Sequence, residues 1–176
     1  ELLDAAQVTH YYGRRGAAIL RPKRRRGAFP ILTKTHELHQ PYGVVGVITP
    51  WNYPFTLPVS DVAPALIAGN AVVLLPDDKT PAIADLMKRM MVEAGLPEEV
   101  LQIVHGGGRV HGSALIGAVD FVMFTGSTAT GRIVAQQCAE RLIGFSAELG
   151  GKNPMLVLSD ADVSRAAAGA VRACFA

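Results

Sequence analysis

From Pro41 onward, short β-branched runs alternate with stretches of helical periodicity. Val44–Ile48, Ala71–Leu75, Val100–Val104 and Phe121–Phe124 read as strands. In Val44–Ile48 the apolar residues run without alternation, which marks a strand buried on both faces. Between these runs, Ser60 and Asp61 are expected to cap a helix through Ile67, ended by Gly69-Asn70. Thr80-Pro81 opens another helix, with Pro at the first helical position. Ile83, Leu86, Met87, Met90 and Ala94 then follow at helical spacing, and Gly95 and Pro97 stop it. Ala114–Gly117 reads as one short turn, and Ser127 or Thr128 opens a helix carrying Ile133, Val134, Gln137, Cys138 and Leu142. Phe145–Leu149 and Met155–Leu158 are expected strands, and Asp160–Arg172 an expected helix. Strand, helix, strand in regular order predicts an α/β fold: a parallel, Rossmann-like sheet with crossover helices.

The first forty residues have a different texture. Residues 1–20 predict an amphipathic helix with Leu2, Leu3, Ala6, Tyr11 and Tyr12 on one side, ending near Gly13 or Gly16. Residues 21–41 turn basic and then polar around Phe29-Pro30-Ile31-Leu32, a pattern suited to a β-hairpin or arm.

Composition narrows the classes. At 176 residues and 49% hydrophobic, with 18% charged residues and a net charge of +2, the chain has enough apolar surface to fold, and disorder is excluded. Its apolar runs of about five residues fall far short of the ~20 of a membrane-spanning helix. The two cysteines, Cys138 and Cys174, make no disulfide framework. With no secretory leader in the sequence, a reducing, cytoplasmic setting is expected. Arg21, Lys23, Arg24, Arg25 and Arg26 form a basic cluster, but no aromatic residue is interleaved to stack on bases. A solvated hairpin or a partner-facing ion-pair strip is expected there, rather than nucleic-acid binding. No three histidines or other ligands stand at metal spacing, so no metal is expected.

Ligands of open α/β sheets bind beyond the carboxyl ends of the strands, which directs attention to the segments there. Thr49-Pro50-Trp51-Asn52-Tyr53-Pro54 holds an Asn amide in a proline-bracketed loop, where it either stabilises a developing oxyanion or caps the next helix. Thr125-Gly126-Ser127-Thr128-Ala129-Thr130-Gly131 leads into a helix whose N-terminus suits a phosphate. Gly106–Gly108 is a similar run that also fits a tight loop. Glu148-Leu149-Gly150-Gly151-Lys152 puts a carboxylate at an apolar strand end. Desolvation there would raise its pKa toward that of a general base, unless Lys152 neutralises it.

Together, Ile48–Pro54 (ITPWNYP), Gly69–Pro81 (GNAVVLLPDDKTP), Ala94–Pro97 (AGLP), Phe124–Gly131 (FTGSTATG) and Glu148–Pro154 (ELGGKNP) resemble the aldehyde dehydrogenase superfamily. Leu142–Met155 and Arg172–Phe175 look most like its bacterial succinate-semialdehyde dehydrogenases. The resemblance implies that Asn52 donates to the oxyanion and that Glu148 is the base activating the hydrolytic water. It implies that Leu149 touches the nicotinamide, and that Gly126 and Ser127 hold the pyrophosphate with Trp51. By the same resemblance Leu75, Pro76, Asp77 and Asp78 line the adenosine ribose, and Gly106–Gly108 lies near the adenine. The cofactor would be NAD or NADP, the substrate a small aldehyde, and the assembly a homo-oligomer built through the hairpin. The implied division is a helix and oligomerisation arm over 1–40, a partial dinucleotide-binding domain over 41–149 and the start of a catalytic domain over 150–176.

Two departures from the family pattern carry expectations. Leu75 stands where the family usually has a Lys, which predicts weak cofactor binding with a small NAD preference. The family's nucleophilic cysteine sits in an Asn-Ala-Gly-Gln-x-Cys stretch that normally follows a segment like Arg172–Ala176. A truncated chain, inactive by itself, is therefore expected, with Cys174 preceding the nucleophile's position. The alternative is a non-catalytic cofactor-binding or oligomerising fragment.

Overall fold

The structure, a computed structural model, describes residues 1–29 and 31–175. Pro30 of the expected arm and Ala176 of the segment Arg172–Ala176 lie outside the described residues.

The apolar runs assemble into one parallel sheet. Its strands are β3 (Val44–Thr49), β4 (Ala71–Pro76), β5 (Leu101–Ile103), β6 (Phe121–Thr125) and β7 (Gly144–Glu148), in the order β5-β4-β3-β6-β7. The chain order reverses at β3, which pairs with β4 on one side and β6 on the other. That reversal opens a crevice at the carboxyl ends of β3, β4 and β6. The expected parallel α/β sheet is what the chain forms.

Helices cover both faces. Above one face α1 (Leu2–Leu20), α2 (Thr56–Ile67) and α3 (Pro81–Glu93) bury Ala5, Val59, Val62, Ala84 and Met87 against Val45, Val47, Val72 and Leu74. Below the other, α4 (Gly108–Ala118) and α5 (Thr128–Glu140) pack Leu115, Ile116, Val134 and Cys138 against Leu75, Val122 and Phe124. Cys138 is thus the core residue its helical position predicts. Asn70 ties the two ends of the β3–α2–β4 unit: its Oδ1 accepts from the Tyr42 and Gly43 N–H groups (2.7 and 3.2 Å), and its Nδ2 donates to the Ala65 carbonyl at 2.9 Å. Gly43 takes φ +119, beside Asp120, whose carboxylate accepts from the Val44 N–H at 2.9 Å.

Several elements differ from the sequence expectation. Helix α1 runs past Gly13 and Gly16 to Leu20, and a Cβ on Gly16 would collide with Ile67 of α2. That glycine permits a close helix contact instead of ending the helix. Helix α2 starts at Thr56, so Ser60 and Asp61 lie inside it. Its first N–H groups are met from a distance by Glu1, whose Oε2 accepts from Phe55 and Thr56 at 2.9 and 3.1 Å. The single turn expected at Ala114–Gly117 is part of a longer helix from Gly108, whose glycines masked its apolar side. Met155–Leu158 forms no strand. It leaves the sheet exposed beyond β7 and pairs with none of the described strands, and α6 (Val163–Phe175) after it buries no residue.

The hairpin is present as β1 (Lys23–Arg25) and β2 (Thr35–Glu37), paired antiparallel. The Arg25 guanidinium contacts the Glu37 carboxylate at 2.6 Å, which turns part of the basic cluster into an ion pair.

Candidate functional site

The carboxyl ends of β3, β4 and β6 enclose a cavity of about 220 Å³. Trp51, Leu75, Pro76, Asp77, Asp78, Gly126 and Ser127 all line it, so the structure brings together seven of the ten expected site residues. Each arrives from a strand end: Trp51 after β3, Leu75 to Asp78 at the end of β4, and Gly126 and Ser127 between β6 and α5. Leu75 is 1% exposed and packs with the α4–α5 side of the core, so it meets the cavity as apolar wall. Asp77 accepts from the Lys79 N–H at 3.1 Å, and the Lys79 ammonium sits over the Trp51 ring, 4.8 Å from its centroid.

The mouth of α5 supplies the polar end. Ser127 caps the helix: its Oγ accepts from the Thr130 N–H at 3.2 Å and lies 2.9 Å from the Thr130 hydroxyl. The first N–H groups of a helix have no partner within it and carry its positive dipole end. Gly126 keeps the loop low, because a Cβ there would lie 2.6 Å from the Phe124 ring. Its own N–H is engaged by the Glu148 carbonyl at 3.0 Å, so it contributes close approach and leaves the donating to the residues after it.

A second groove, of about 580 Å³, opens between α4 and α5 and shares Ile48, Gly108, Phe124 and Thr130 with the cavity. Ile116, Ile133 and Val134 give it apolar walls, and Gln137 donates to Ser113 across it at 3.0 Å. Gly107 caps α4 and faces Asp78, with space for a Cβ only 3.6 Å from that carboxylate. The Gly106–Gly108 run is therefore a loop and a helix start together.

The other three expected residues, Asn52, Glu148 and Leu149, lie outside this cavity's lining and are exposed. Leu149, 41% exposed, packs over Gly131 at the start of α5, where a Cβ would lie 2.6 Å from its Cδ2. The buried carboxyl expected at Glu148 is found instead at Asp61, because Glu148 stands at the open end of the last strand while Asp61 is set into α2. Burial, helped by the Glu148 charge, pushes the Asp61 carboxyl up to about 6. Glu148 makes no ion pair with Lys152 among the described residues. Thr49, at the end of β3, lines the cavity, while its hydroxyl is buried and has no hydrogen-bond partner among the described residues. Sequence reasoning missed Thr49 and the burial of Asp61; for Thr49 the one signal was a polar residue closing an apolar strand, and for Asp61 an acidic residue inside an apolar helix.

Of the two cysteines, Cys138 is 1% exposed and burial pushes its thiol up, whereas Cys174 lies exposed on α6. Neither touches the cavity. Among the described residues no helix is long and apolar enough to cross a membrane.

Comparison with known proteins identifies what the chain is similar to. The sequence profile of the aldehyde dehydrogenase family matches residues 1–176. A Mycolicibacterium smegmatis protein named putative succinate-semialdehyde dehydrogenase (NADP(+)) is 52% identical over 175 residues, 99% of this chain and 34% of that protein. The crystal structure of aldehyde dehydrogenase from Brucella melitensis biovar abortus superposes with a TM-score of 0.91 at 35% identity, covering 98% of this chain and 36% of that one. PnpE in complex with nicotinamide adenine dinucleotide matches with a TM-score of 0.88 at 34% identity, covering 98% of this chain and 35% of that one. The chain thus spans about a third of the length of the curated relatives it matches.

Proposed function

The chain belongs to the aldehyde dehydrogenase family, and we propose that it carries the cofactor site and two catalytic groups of an NAD(P)-dependent enzyme oxidising a small aldehyde, succinate semialdehyde in the first instance. One observation carries the reading: the cavity at the strand-order reversal joins a helix N-terminus, a pair of aspartates and an apolar slot in one continuous groove. Those are the parts a dinucleotide needs, in the order of its pyrophosphate, ribose and adenine.

The fit rests on this chain's own groups. The α5 N-terminus offers backbone donors and positive potential to the pyrophosphate, with Gly126 allowing close approach and Trp51 closing the other side. Asp77 and Asp78 accept from the ribose hydroxyls beside the glycines that open α4. The α4–α5 slot takes the adenine between Ile116, Ile133 and Val134. Leu149, resting on Gly131, presents an apolar surface to the nicotinamide, which when bound accepts a hydride.

For the chemistry, the Asn52 amide stabilises the oxyanion formed when a thiolate attacks the carbonyl. The Glu148 carboxylate takes a proton from the water that releases the acyl group. Neither Cys138, sealed in the core, nor Cys174, away from the groove, fills the nucleophile's role, so this chain alone is inactive. Residues 1–40 act as helix and oligomerisation arm, 41–149 as the dinucleotide-binding domain and 150–176 as the start of the catalytic domain.

Calorimetric titration of NAD and NADP tests the reading, using wild type and Leu75→Lys. Wild type binds weakly with a small NAD preference, because the Asp78 carboxylate repels a 2′-phosphate while the flexible Lys79 ammonium opposes it as a point charge. Leu75→Lys tightens both, since an ammonium on that wall regains a charge-assisted hydrogen bond worth ~1.5–3 kcal/mol. No binding of either cofactor overturns the assignment, and unchanged affinities in the variant remove Leu75 from the ribose wall. An aldehyde-dependent reduction of cofactor that survives Cys174→Ala would contradict the inactivity of the isolated chain.

A further inference from the structure

We propose that Glu1 is the positioning residue for the loop that carries Trp51 and Asn52. By fastening the far end of that loop it sets both the Trp51 wall of the cofactor cavity and the Asn52 amide. This rests on the reading of Trp51 and Asn52 as site residues.

The loop covers residues 50–55, between the end of β3 and the start of α2. Its near end is fixed, because Thr49 is buried and in register with Pro76 of β4. Packing does not fix its middle, since Trp51, Asn52 and Tyr53 are all exposed. Pro50 and Pro54 have no N–H to donate. Among the described residues the backbone N–H groups of Trp51, Asn52 and Tyr53 find no acceptor, and the first N–H of the loop to be met is that of Phe55. Its acceptor is Glu1.

Glu1 reaches over from the start of α1 with side chain and backbone together. Its Oε2 accepts from the Phe55 N–H at 2.9 Å and from the Thr56 N–H at 3.1 Å. Its carbonyl accepts from the Thr56 hydroxyl at 3.0 Å and from the Ala5 N–H at 3.0 Å. Phe55, the N-cap of α2, has no side-chain acceptor for the open N–H groups of that helix. The carboxylate of another helix serves instead, and its charge suits the positive end of α2. The Thr56 N–H, joined by that of Phe55, holds the Glu1 carboxyl below the ordinary carboxylate range against the desolvation that pushes it up.

Glu1 is itself held in place. Ala5, one turn further along α1, is buried in the core, and Gly16 lies against Ile67 at the last turn of α2. Helix α1 is therefore seated on α2 at both ends, and a shift of Glu1 along α2 would break the Gly16–Ile67 contact. Trp51 and Asn52 hang between two anchors, Thr49 in the sheet and Glu1 on α1. The Lys79 ammonium over the Trp51 ring steadies Trp51 and leaves Asn52 to the anchors.

The test uses this chain, in which Trp51 is the single tryptophan. Time-resolved fluorescence anisotropy of Trp51 and nitrogen-15 relaxation of the Asn52 side-chain amide report on the loop, and calorimetry with NAD reports on the cavity. Glu1→Ala is expected to release fast motion at both residues and to weaken NAD roughly 10-fold, the effect of a displaced contact group. Glu1→Gln, whose amide oxygen accepts from the same two N–H groups, restores both the rigidity and the affinity. Thr56→Val drops only the bond to the Glu1 carbonyl, and a smaller release of the same kind is expected. Ile67→Ala loosens the α1–α2 contact at the far end; it lowers the melting temperature and leaves the loop unmoved. Loop motion unchanged in Glu1→Ala and in Thr56→Val overturns the role of Glu1. So does equal release in Ile67→Ala, which would make the effect one of general stability. The two readings fail separately. If wild type binds no NAD while Glu1→Ala still frees the loop, the cofactor reading falls and the hold of Glu1 stands. If NAD binds and the loop does not respond, only the role of Glu1 falls.

Discussion

At the residue scale, the carboxyl that burial perturbs is Asp61. Its ordinary value of 3.8 is raised to about 6, first by desolvation and then by the Glu148 charge. The folded state thus holds this proton more tightly than the unfolded chain. Stability falls as pH rises through that interval, and above it the whole cost of the buried charge is present. Asp61→Asn keeps the size and drops the charge. Near neutral pH and above it gains up to about 3 kcal/mol over wild type, and the gain vanishes below about pH 4, where both states are protonated. Urea unfolding across that range checks the sign as well as the size. A variant less stable than wild type at pH 8 would mean that Asp61 has a favourable partner after all.

At the element scale, the groove depends on how α4 and α5 are held. Ser127 caps one end of α5. At the other end Arg141 donates from Nη1 to the Ile116 carbonyl and, at 2.8 Å, to the Val119 carbonyl, closing the last turn of α4. Removing the cap in Ser127→Ala costs ~1 kcal/mol of stability and weakens either cofactor, since the helix mouth frays where the pyrophosphate sits. Arg141→Met leaves those carbonyls unmet and costs ~1.5–3 kcal/mol, splaying the slot with little effect at the pyrophosphate end. Thermal unfolding beside calorimetry with NAD and with adenosine monophosphate separates the two. Equal losses for both ligands in Arg141→Met would argue against an adenine in this slot.

The same elements explain what could be read in the sequence. β3, β4 and β6 were legible because parallel strands buried on both faces are unbroken apolar runs, and α3 because its periodicity is clean. The start of α2 was hidden because its cap comes from Glu1, more than fifty residues away in sequence. Glycines hid α4, and Met155–Leu158 has strand composition but no partner among the described strands. In the site, the motif order located the cavity wall, while the burial of Asp61 inside α2 depended on how that helix packs on the sheet.

At the scale of the whole molecule, the sheet and its helices bury the apolar runs of the middle of the chain and leave both flanks uncovered. In the hairpin Phe29 is 64% exposed, Ile31 98% and Leu32 86%. Beyond β7, Leu156 is 87% exposed and Phe175 86%. Large apolar side chains left exposed in groups along the chain are candidate contact surfaces. The hairpin touches the rest of the chain little and pairs mainly with itself, so it is free to reach a second copy. The Arg25–Glu37 pair stiffens it, though as an exposed ion pair it adds little to stability. The chain is therefore expected to associate with concentration in sedimentation velocity. The double substitution Ile31→Asp, Leu32→Asp should shift it toward smaller species without changing the melting temperature, because neither side chain contributes to the core. The paired control Leu156→Asp, Leu158→Asp tests the other flank. Should that control dissolve the assembly while the hairpin substitutions leave it intact, association runs through the exposed flank after β7 and the arm has no part in it. A concentration-independent monomer in wild type would remove both surfaces as self-association sites.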